Sequence, residues 1–236
     1  MQQKNNFSKI LGLRISAAPI FTGDIVKKIK GAIFDLDGTI IDSMPMWYSL
    51  YGNYINEANI VPSQELLDFL RHASIPVAAK RFAQEFNLGT AEEIEKALYA
   101  HVSDYYKNHA TAYKNVDKLI EKFHASGIKM CVATATESKH AKNALLHTGL
   151  LHYFCDVLSC KDLGIEKNKP DIYFEALKRL DVPIDDTAVF EDALHAVETA
   201  KSGGFYVVAI YEQFAENPER IKEIADKYIT DYAELI

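Results

Sequence analysis

The sequence has few cysteines, no long apolar run and no excess of basic residues. Its three cysteines (Cys131, Cys155 and Cys160) form neither a CxxC pair nor an even set, which argues against a disulfide framework. Reduced thiols favour a cytoplasmic location. No apolar stretch approaches the roughly 20 residues of a membrane-spanning helix. The net charge of -7 argues against nucleic-acid binding, which usually requires a basic surface. We therefore expect neither membrane nor nucleic acid as a partner.

Residues 1–27 loosely resemble a signal peptide, because basic residues precede an SAAP segment. Lys9 and Arg14, however, interrupt the apolar core that an export signal needs. We interpret this stretch as an N-terminal extension, either flexible or the result of an upstream start site.

Short apolar runs of strand length alternate with helical stretches through most of the chain. The runs are GAIF (31–34), KMCVAT (129–134), DVLSC (156–160), TAVFE (187–191) and FYVVAI (205–210). This alternation predicts an α/β fold, a Rossmann-like, doubly wound parallel sheet covered by helices on both faces. A chain of 236 residues is long enough for such a domain and a smaller second one.

The smaller domain is expected between the first two strands, in residues 45–112. This segment has no strand signal, and its apolar residues recur at three- and four-residue spacings. Ser63 and Thr90 are placed as helix N-caps, and Glu93 completes a capping box with Thr90. The pattern predicts an inserted all-helical domain, with the sheet domain formed by residues 28–44 and 113–236.

Two carboxylates follow the first predicted strand, in Asp35-Leu36-Asp37-Gly38-Thr39. A polar turn could explain a bare D-x-D, since Asp and Gly are common in turns. Two acids at the carboxyl end of a buried strand are costly, however, unless a cation or a reaction uses them. The complete apolar-strand-DLDGT pattern therefore points to a chemical site.

DLDGT resembles the first motif of the haloacid dehalogenase-like superfamily, whose members are mostly Mg-dependent phosphatases and phosphotransferases. The resemblance implies that Asp35 is the nucleophile that becomes an aspartyl-phosphate and that Asp37 is the general acid/base. Gly38 and Thr39 would help to bind the phosphate. It also implies that the helical segment is the cap that closes over the active site.

The second and third motifs of the family have counterparts further along the chain. Thr134 ends a predicted strand, where the family has a Ser or Thr that binds phosphate together with the backbone N–H of Ala135, and Thr136 could assist. A structural use is the alternative, since Thr also favours strands and caps. Alignment of the chain with the third motif of the family implies that Lys167 is the lysine that neutralises the phosphate. Asn168 stands where that motif has a proline, so Lys169 is an alternative to Lys167.

The fourth motif is Glu191-Asp192, in which another predicted strand ends. The resemblance implies that Mg²⁺ is bound by Asp35, Asp192 and the backbone carbonyl of Asp37, with Glu191 ligating directly or through water. Hard Mg²⁺ prefers such oxygen ligands.

The four motifs imply a phosphatase that hydrolyses a small phosphomonoester, a sugar phosphate by preference, through an aspartyl-phosphate. The cap resembles that of the beta-phosphoglucomutase-like branch, so a phosphosugar mutase is the alternative. Trp47, however, stands where mutases of that branch have a His. A third possibility is a protein that binds phosphate compounds without catalysis. It is less favoured, because every catalytic position is filled. Trp47 and Tyr48 could line the substrate pocket. The oligomeric state stays open, with a monomer preferred.

Overall fold

The computed structural model describes residues 29–71 and 73–236. The predicted extension 1–27 lies outside these residues. In the described part of the chain, the sheet has six parallel strands in the order β3-β2-β1-β4-β5-β6. The strands are β1 (Gly31–Phe34), β2 (Lys129–Thr134), β3 (Val157–Ser159), β4 (Thr187–Glu191), β5 (Tyr206–Ile210) and β6 (Lys227–Ile229).

The helices surround this sheet and also fill the segment between β1 and β2. In chain order they are α1 (Met44–Glu57), α2 (Gln64–Leu70), α3 (Ile75–Glu85), α4 (Ala91–Asp104), α5 (Val116–Ala125), α6 (Ser138–His147), α7 (Cys160–Leu163), α8 (Asp171–Leu180), α9 (Leu194–Ser202) and α10 (Pro218–Ile224). A five-residue π-helix, Tyr105–His109, continues directly from α4. Single-turn 3₁₀ helices cover Leu151–Tyr153, Ile184–Asp186 and Tyr232–Leu235.

The five predicted strands are confirmed, with β1, β2 and β4 at their predicted bounds. These strands are buried on both faces, so they appear in the sequence as continuous apolar runs. The sixth strand, β6, was not predicted. It has only three residues and is half-buried at the sheet edge, which leaves too little apolar pattern to detect.

Alternate residues of each strand pack on opposite faces of the sheet. Phe34 and Phe190 belong to one hydrophobic cluster, and their neighbours Ile33 and Val189 belong to the other. Two separate clusters, one on each face, are the packing expected of a doubly wound sheet. The first cluster continues into the helices between β1 and β2, where Leu98 of α4 is fully buried.

The predicted helix starts in the segment between β1 and β2 are also confirmed. Ser63 Oγ accepts a hydrogen bond from the Leu66 N–H at 3.1 Å. Thr90 and Glu93 form the reciprocal capping box, with bonds of 3.2 and 2.8 Å. Such caps satisfy backbone N–H groups that the first helical turn leaves unpaired.

The two connections between this helical segment and the sheet lie side by side. The Asp42 N–H donates to Thr111 O, and the Tyr113 N–H donates to Ile40 O, each at 2.9 Å. The chain therefore enters and leaves the helical segment at one place, beside the loop that follows β1. No helix in residues 29–71 or 73–236 combines the length and apolarity needed to cross a bilayer.

Candidate active site

The strand register brings acidic residues from distant parts of the chain together. Phe34 of β1 pairs with Phe190 of β4, and their rings stack with centroids 4.3 Å apart. The Asp35 N–H donates to Phe190 O at 3.0 Å, so β1 and β4 stay paired up to the point where their acidic residues begin. Asp35 and Glu191 consequently emerge next to each other at the carboxyl edge of the sheet.

A compact acidic cluster results, formed by Asp35, Glu191 and Asp192. One carboxylate oxygen of each lies within 4.8 Å of the others, and all three residues are buried. The Lys167 Nζ forms an ion pair with Asp35 Oδ1 and lies 2.7 Å from Glu191 Oε1. Its side chain is only 9% exposed, whereas Lys169 is exposed. The structure therefore brings Lys167, and not its rival, into the site.

The protonation behaviour of the acidic cluster is dominated by burial and by crowding of like charges. Burial raises the pKa of Asp35 to about 7; Lys167 opposes the shift, and Glu191 adds to it. Burial, with Asp35 and Glu191 nearby, also holds the pKa of Asp192 well above its usual value. Burial alone lowers the pKa of Lys167, but the Asp35 and Glu191 carboxylates outweigh it, so Lys167 is cationic.

The acidic cluster fits a divalent cation. It combines three carboxylates with one ammonium, and buried charge of one sign is costly unless a counter-ion offsets it. Glu191 Oε2 is buried and has no hydrogen-bond partner among the described residues. Carboxylate oxygens are the ligands that a hard cation such as Mg²⁺ prefers. The donor set therefore suits a divalent cation such as Mg²⁺.

Hydrogen bonds from neighbouring hydroxyls orient the carboxylates of the acidic cluster. The Tyr173 hydroxyl donates to Glu191 Oε1 at 2.7 Å. The Thr39 hydroxyl donates to Asp192 Oδ1 at 2.8 Å, and the backbone carbonyl of Thr39 accepts from the Tyr232 hydroxyl at 2.8 Å. In this structure Thr39, predicted to bind phosphate, therefore positions a carboxylate of the cluster.

Gly38 has a steric role at the same place. Its φ of +81° lies in the left-handed region, and a Cβ built on it would lie 2.7 Å from Asp192 Cγ. Only glycine lets the turn after Asp37 approach Asp192 this closely.

The Asp37 side chain lies outside the acidic cluster and accepts hydrogen bonds from three hydroxyl groups. Its Oδ1 accepts from Ser43 at 2.6 Å and from Tyr106 at 2.5 Å. Its Oδ2 accepts from Thr136 at 2.6 Å. Three hydroxyl groups on one carboxyl group hold it in one orientation. Its side chain is thus set apart from the carboxylates of the acidic cluster.

Sequence reasoning did not identify Tyr106 as a residue of the site. Tyr106 is fully buried in the π-helix, and burial, reinforced by Asp37, raises its pKa well above the usual value. It is therefore a hydrogen-bond donor at neutral pH. Short π-helices occur frequently at functional sites, but nothing in the sequence pattern of residues 105–109 predicts one.

Thr134 and its neighbours lie beside Asp37 at the end of β2. Thr134 is 1% exposed, and its Oγ1 accepts the Thr136 N–H at 3.1 Å. Ala135 is exposed. Through the Thr136 hydroxyl, this turn is hydrogen-bonded to Asp37 in the loop after β1.

A cavity of about 810 Å³ opens from Asp37 into the helical segment. Its wall includes Ala135 and Thr136 from the sheet side and Trp47, Tyr48 and Tyr51 from α1. Trp47 and Tyr48, expected to line the substrate pocket, thus both lie at this cavity. The volume is within the usual range of small-molecule sites.

Comparisons with known proteins agree with this geometry. The family model of haloacid dehalogenase-like hydrolases matches residues 32–210. The phosphorylated carbohydrates phosphatase of Thermotoga maritima is 26% identical over 182 residues, covering 75% of this chain and 82% of that protein. The fructose-1-phosphate phosphatase YqaB of Escherichia coli is 27% identical over 197 residues, covering 78% and 97%.

Solved structures share the fold. CbbY of Rhodobacter sphaeroides, crystallised with xylulose-(1,5)bisphosphate, superposes with a TM-score of 0.68 at 20% identity, covering 88% of this chain and 96% of that one. At this identity the likeness demonstrates a common architecture.

Proposed function

The chain belongs to the haloacid dehalogenase-like hydrolases, and we propose that it hydrolyses a small sugar phosphate in a Mg²⁺-dependent reaction with Asp35 as nucleophile. Its phosphatase relatives and family place it among the hydrolases of phosphoric monoesters. The observation that carries the proposal is the position of Asp35, which forms an ion pair with the buried Lys167 ammonium and lies within 4.8 Å of the other carboxylates of the acidic cluster.

In the first step an Asp35 oxygen attacks the phosphorus atom, and the bond between phosphorus and the leaving oxygen breaks. Lys167 offsets the negative charge of the incoming phosphate, which would otherwise be repelled by the acidic cluster. The Thr134 hydroxyl and the N–H of Ala135 bind phosphate oxygens. Gly38 and Thr39 shape the opposite wall of the phosphate site. Asp37 gives a proton to the leaving alcohol.

In the second step water attacks the phosphorus of the aspartyl-phosphate and releases Asp35. Asp37, left ionised by the first step, takes the proton of this water and so returns to its starting state. The three hydroxyl groups around Asp37 suit this stage, because they hold its carboxyl group in one orientation.

Asp35, Asp192 and the backbone carbonyl of Asp37 would hold Mg²⁺, with Glu191 ligating directly or through water. When bound, the ion neutralises charge between the nucleophile and the phosphate. The unpartnered Glu191 Oε2 supports this assignment.

Residues 45–112 act as a helical cap over the core formed by residues 28–44 and 113–236. The paired connections at residues 40–42 and 111–113 support this division, because a cap that moves must hinge where the chain enters and leaves it. Closure would exclude water from the leaving group while the first step occurs.

The substrate class rests on the relatives, which are named for phosphorylated carbohydrates and for fructose 1-phosphate. A sugar hydroxyl as leaving group needs a proton, which agrees with the presence of Asp37. The partner is thus a small phosphorylated metabolite. The free thiols of Cys131, Cys155 and Cys160 support a cytoplasmic location.

The test is phosphate release from a panel of sugar phosphates, nucleotides and phosphoglycolate, with Mg²⁺ or with a chelator. We expect release that requires Mg²⁺ and disappears in Asp35→Asn, while circular dichroism shows an unchanged fold. Conversion of beta-glucose 1-phosphate to the 6-phosphate, without net release, would instead identify a mutase. Turnover that survives in Asp35→Asn would overturn the nucleophile assignment.

A further inference from the structure

The Tyr106 hydroxyl connects the acid/base carboxylate to the wall of the substrate cavity. It donates to Asp37 Oδ1 at 2.5 Å and accepts from the Trp47 indole N–H at 3.1 Å. Trp47 itself lines the cavity. A continuous hydrogen-bonded chain therefore runs from the pocket wall through Tyr106 to the group that must transfer a proton.

Tyr106 is held rigidly at this junction. Its ring is fully buried and stacks on His140, with centroids 5.7 Å apart and planes at 26°. It also contacts Tyr105 edge to face, with centroids 5.5 Å apart. A side chain fixed on several sides loses little further entropy when it orients a partner, so its single hydroxyl is an effective positioning group.

The two connections to the helical segment both contribute to the environment of Asp37. Ser43 precedes α1, whereas Tyr106 follows α4, and both hydroxyls donate to Asp37 Oδ1. Thr136, from the sheet side, donates to the other oxygen. The orientation of Asp37 thus depends on where both ends of the helical segment lie.

We infer that Tyr106 is a positioning residue, which orients Asp37 for proton transfer to the leaving oxygen and couples that orientation to Trp47 in the cavity wall. This inference rests on the proposed function, in which Asp37 protonates the leaving group. Without the Tyr106 hydroxyl, the Asp37 carboxyl group keeps only its hydrogen bonds to the other hydroxyl groups and can change its orientation. It is then less often placed to give a proton to the leaving oxygen of a bound substrate.

The chain offers a matched pair of variants, Tyr106→Phe and Tyr105→Phe. Each removes one hydroxyl from adjacent tyrosines of the same π-helix. The Tyr105 hydroxyl donates to Asp42 O at 2.8 Å, however, and not to the Asp37 side chain. Any general disturbance of the helix should affect both variants, whereas misplacement of Asp37 should affect only the first.

Two kinds of substrate distinguish a positioning role of Tyr106 from a purely structural one. p-Nitrophenyl phosphate releases a phenolate that needs no proton, whereas the leaving group of fructose 1-phosphate, glycerol 3-phosphate or phosphoglycolate does. We measure kcat/KM for p-nitrophenyl phosphate and for whichever of the three alkyl phosphates is turned over fastest. The ratio kcat/KM reports the steps up to departure of the leaving group.

Tyr106→Phe should lower kcat/KM for the alkyl phosphate about tenfold or more, a fraction of what general acids contribute. For p-nitrophenyl phosphate the value should stay within about twofold, and Tyr105→Phe should stay within about twofold for both substrates. Equal losses on both substrates, or no loss on either, would overturn the inference. An inactive wild-type protein would instead contradict the proposed function. Should Tyr106→Phe fail to fold, Trp47→Phe, which removes the N–H donor to Tyr106 together with part of the indole ring, is compared on the same two substrates: a loss confined to the alkyl phosphate supports the inference, and equal losses overturn it.

Discussion

The Lys167 ammonium lies 2.7 Å from Glu191 Oε1 while it also forms an ion pair with Asp35. One buried cation is therefore shared by two carboxylates that leave neighbouring strands. The arrangement holds Asp35, the proposed nucleophile, in place before substrate binds, and it presents a positive charge where the proposed phosphate would enter.

Replacing this lysine should remove activity, whereas replacing the second lysine of the same loop should not. Lys167→Met is expected to lower kcat/KM about 10²-fold or more, comparable to the loss of one group that stabilises developing charge. Lys169→Met should stay within about twofold, because Lys169 is exposed. Steady-state kinetics of the two variants, purified side by side, provides the comparison. Loss in Lys169→Met with retention in Lys167→Met would reverse the assignment of the active-site lysine.

The stability of the metal-free protein should fall as the pH rises through about 7, the value to which burial raises the pKa of Asp35. In the unfolded chain this group titrates near its ordinary value of about 3.9. Between the two values the folded state binds the extra proton, so its advantage is present at low pH and is lost at high pH. Chemical denaturation with a chelator present, at pH 6 and pH 8, measures the effect. A higher metal-free stability at pH 8 would contradict it.

The stabilisation by Mg²⁺ should depend on pH in the opposite sense and increase as the pH rises, because ligation by Asp35 and Asp192 requires both groups to be ionised. We expect a larger gain in melting temperature at pH 8 than at pH 6, with a gain of about 2.7 kcal/mol when the ion is present at 100 times its dissociation constant. Asp192→Asn, as the control, should lose most of the gain. Equal gains at the two pH values would show that the buried carboxylates do not hold the ion.

Gly38→Ala should damage both stability and activity, and Gly127→Ala is its matched control. Both glycines have positive φ, +81° and +74°, but only Gly38 lies against another group, Asp192. Backbone strain of about 1–2 kcal/mol applies to both variants. Displacement of Asp192 adds about 1–3 kcal/mol to Gly38→Ala.

Denaturant unfolding and phosphate release should therefore separate the two glycine variants. Gly127→Ala should keep full activity, while Gly38→Ala should lose both stability and Mg²⁺-dependent turnover. Indistinguishable variants would mean that the close approach of Gly38 to Asp192 has no consequence for the site.

The acidic cluster was predictable from the sequence because each of its members stands where a strand ends. Asp35, Glu191 and Asp192 lie at the ends of apolar runs of strand length, and parallel strands place their carboxyl ends on one edge. Periodicity and capping likewise predicted the helices of residues 45–112, including the capping box at Thr90. In these cases the local sequence pattern predicts the same structure that the complete fold adopts.

The partners of the acidic cluster and of Asp37 were not predictable, because they depend on packing between distant segments. Tyr106 reaches Asp37 across 69 positions in the chain, and Thr39 reaches Asp192 across 153. Nothing in either local sequence distinguishes such a contact from ordinary core packing or a turn. The choice between Lys167 and Lys169 also needed coordinates, since one departure from the motif left two alignments.

The most direct test of the central claim is to trap the covalent intermediate on Asp35. The enzyme, turning over the best substrate of the panel with Mg²⁺, is quenched with borohydride, which reduces an acyl phosphate to an alcohol, and the peptides are sequenced by mass spectrometry. We predict reduction at position 35 alone, dependent on substrate and absent in Asp35→Asn. Phosphate release without modification of Asp35, or with modification at another carboxylate, would contradict the account.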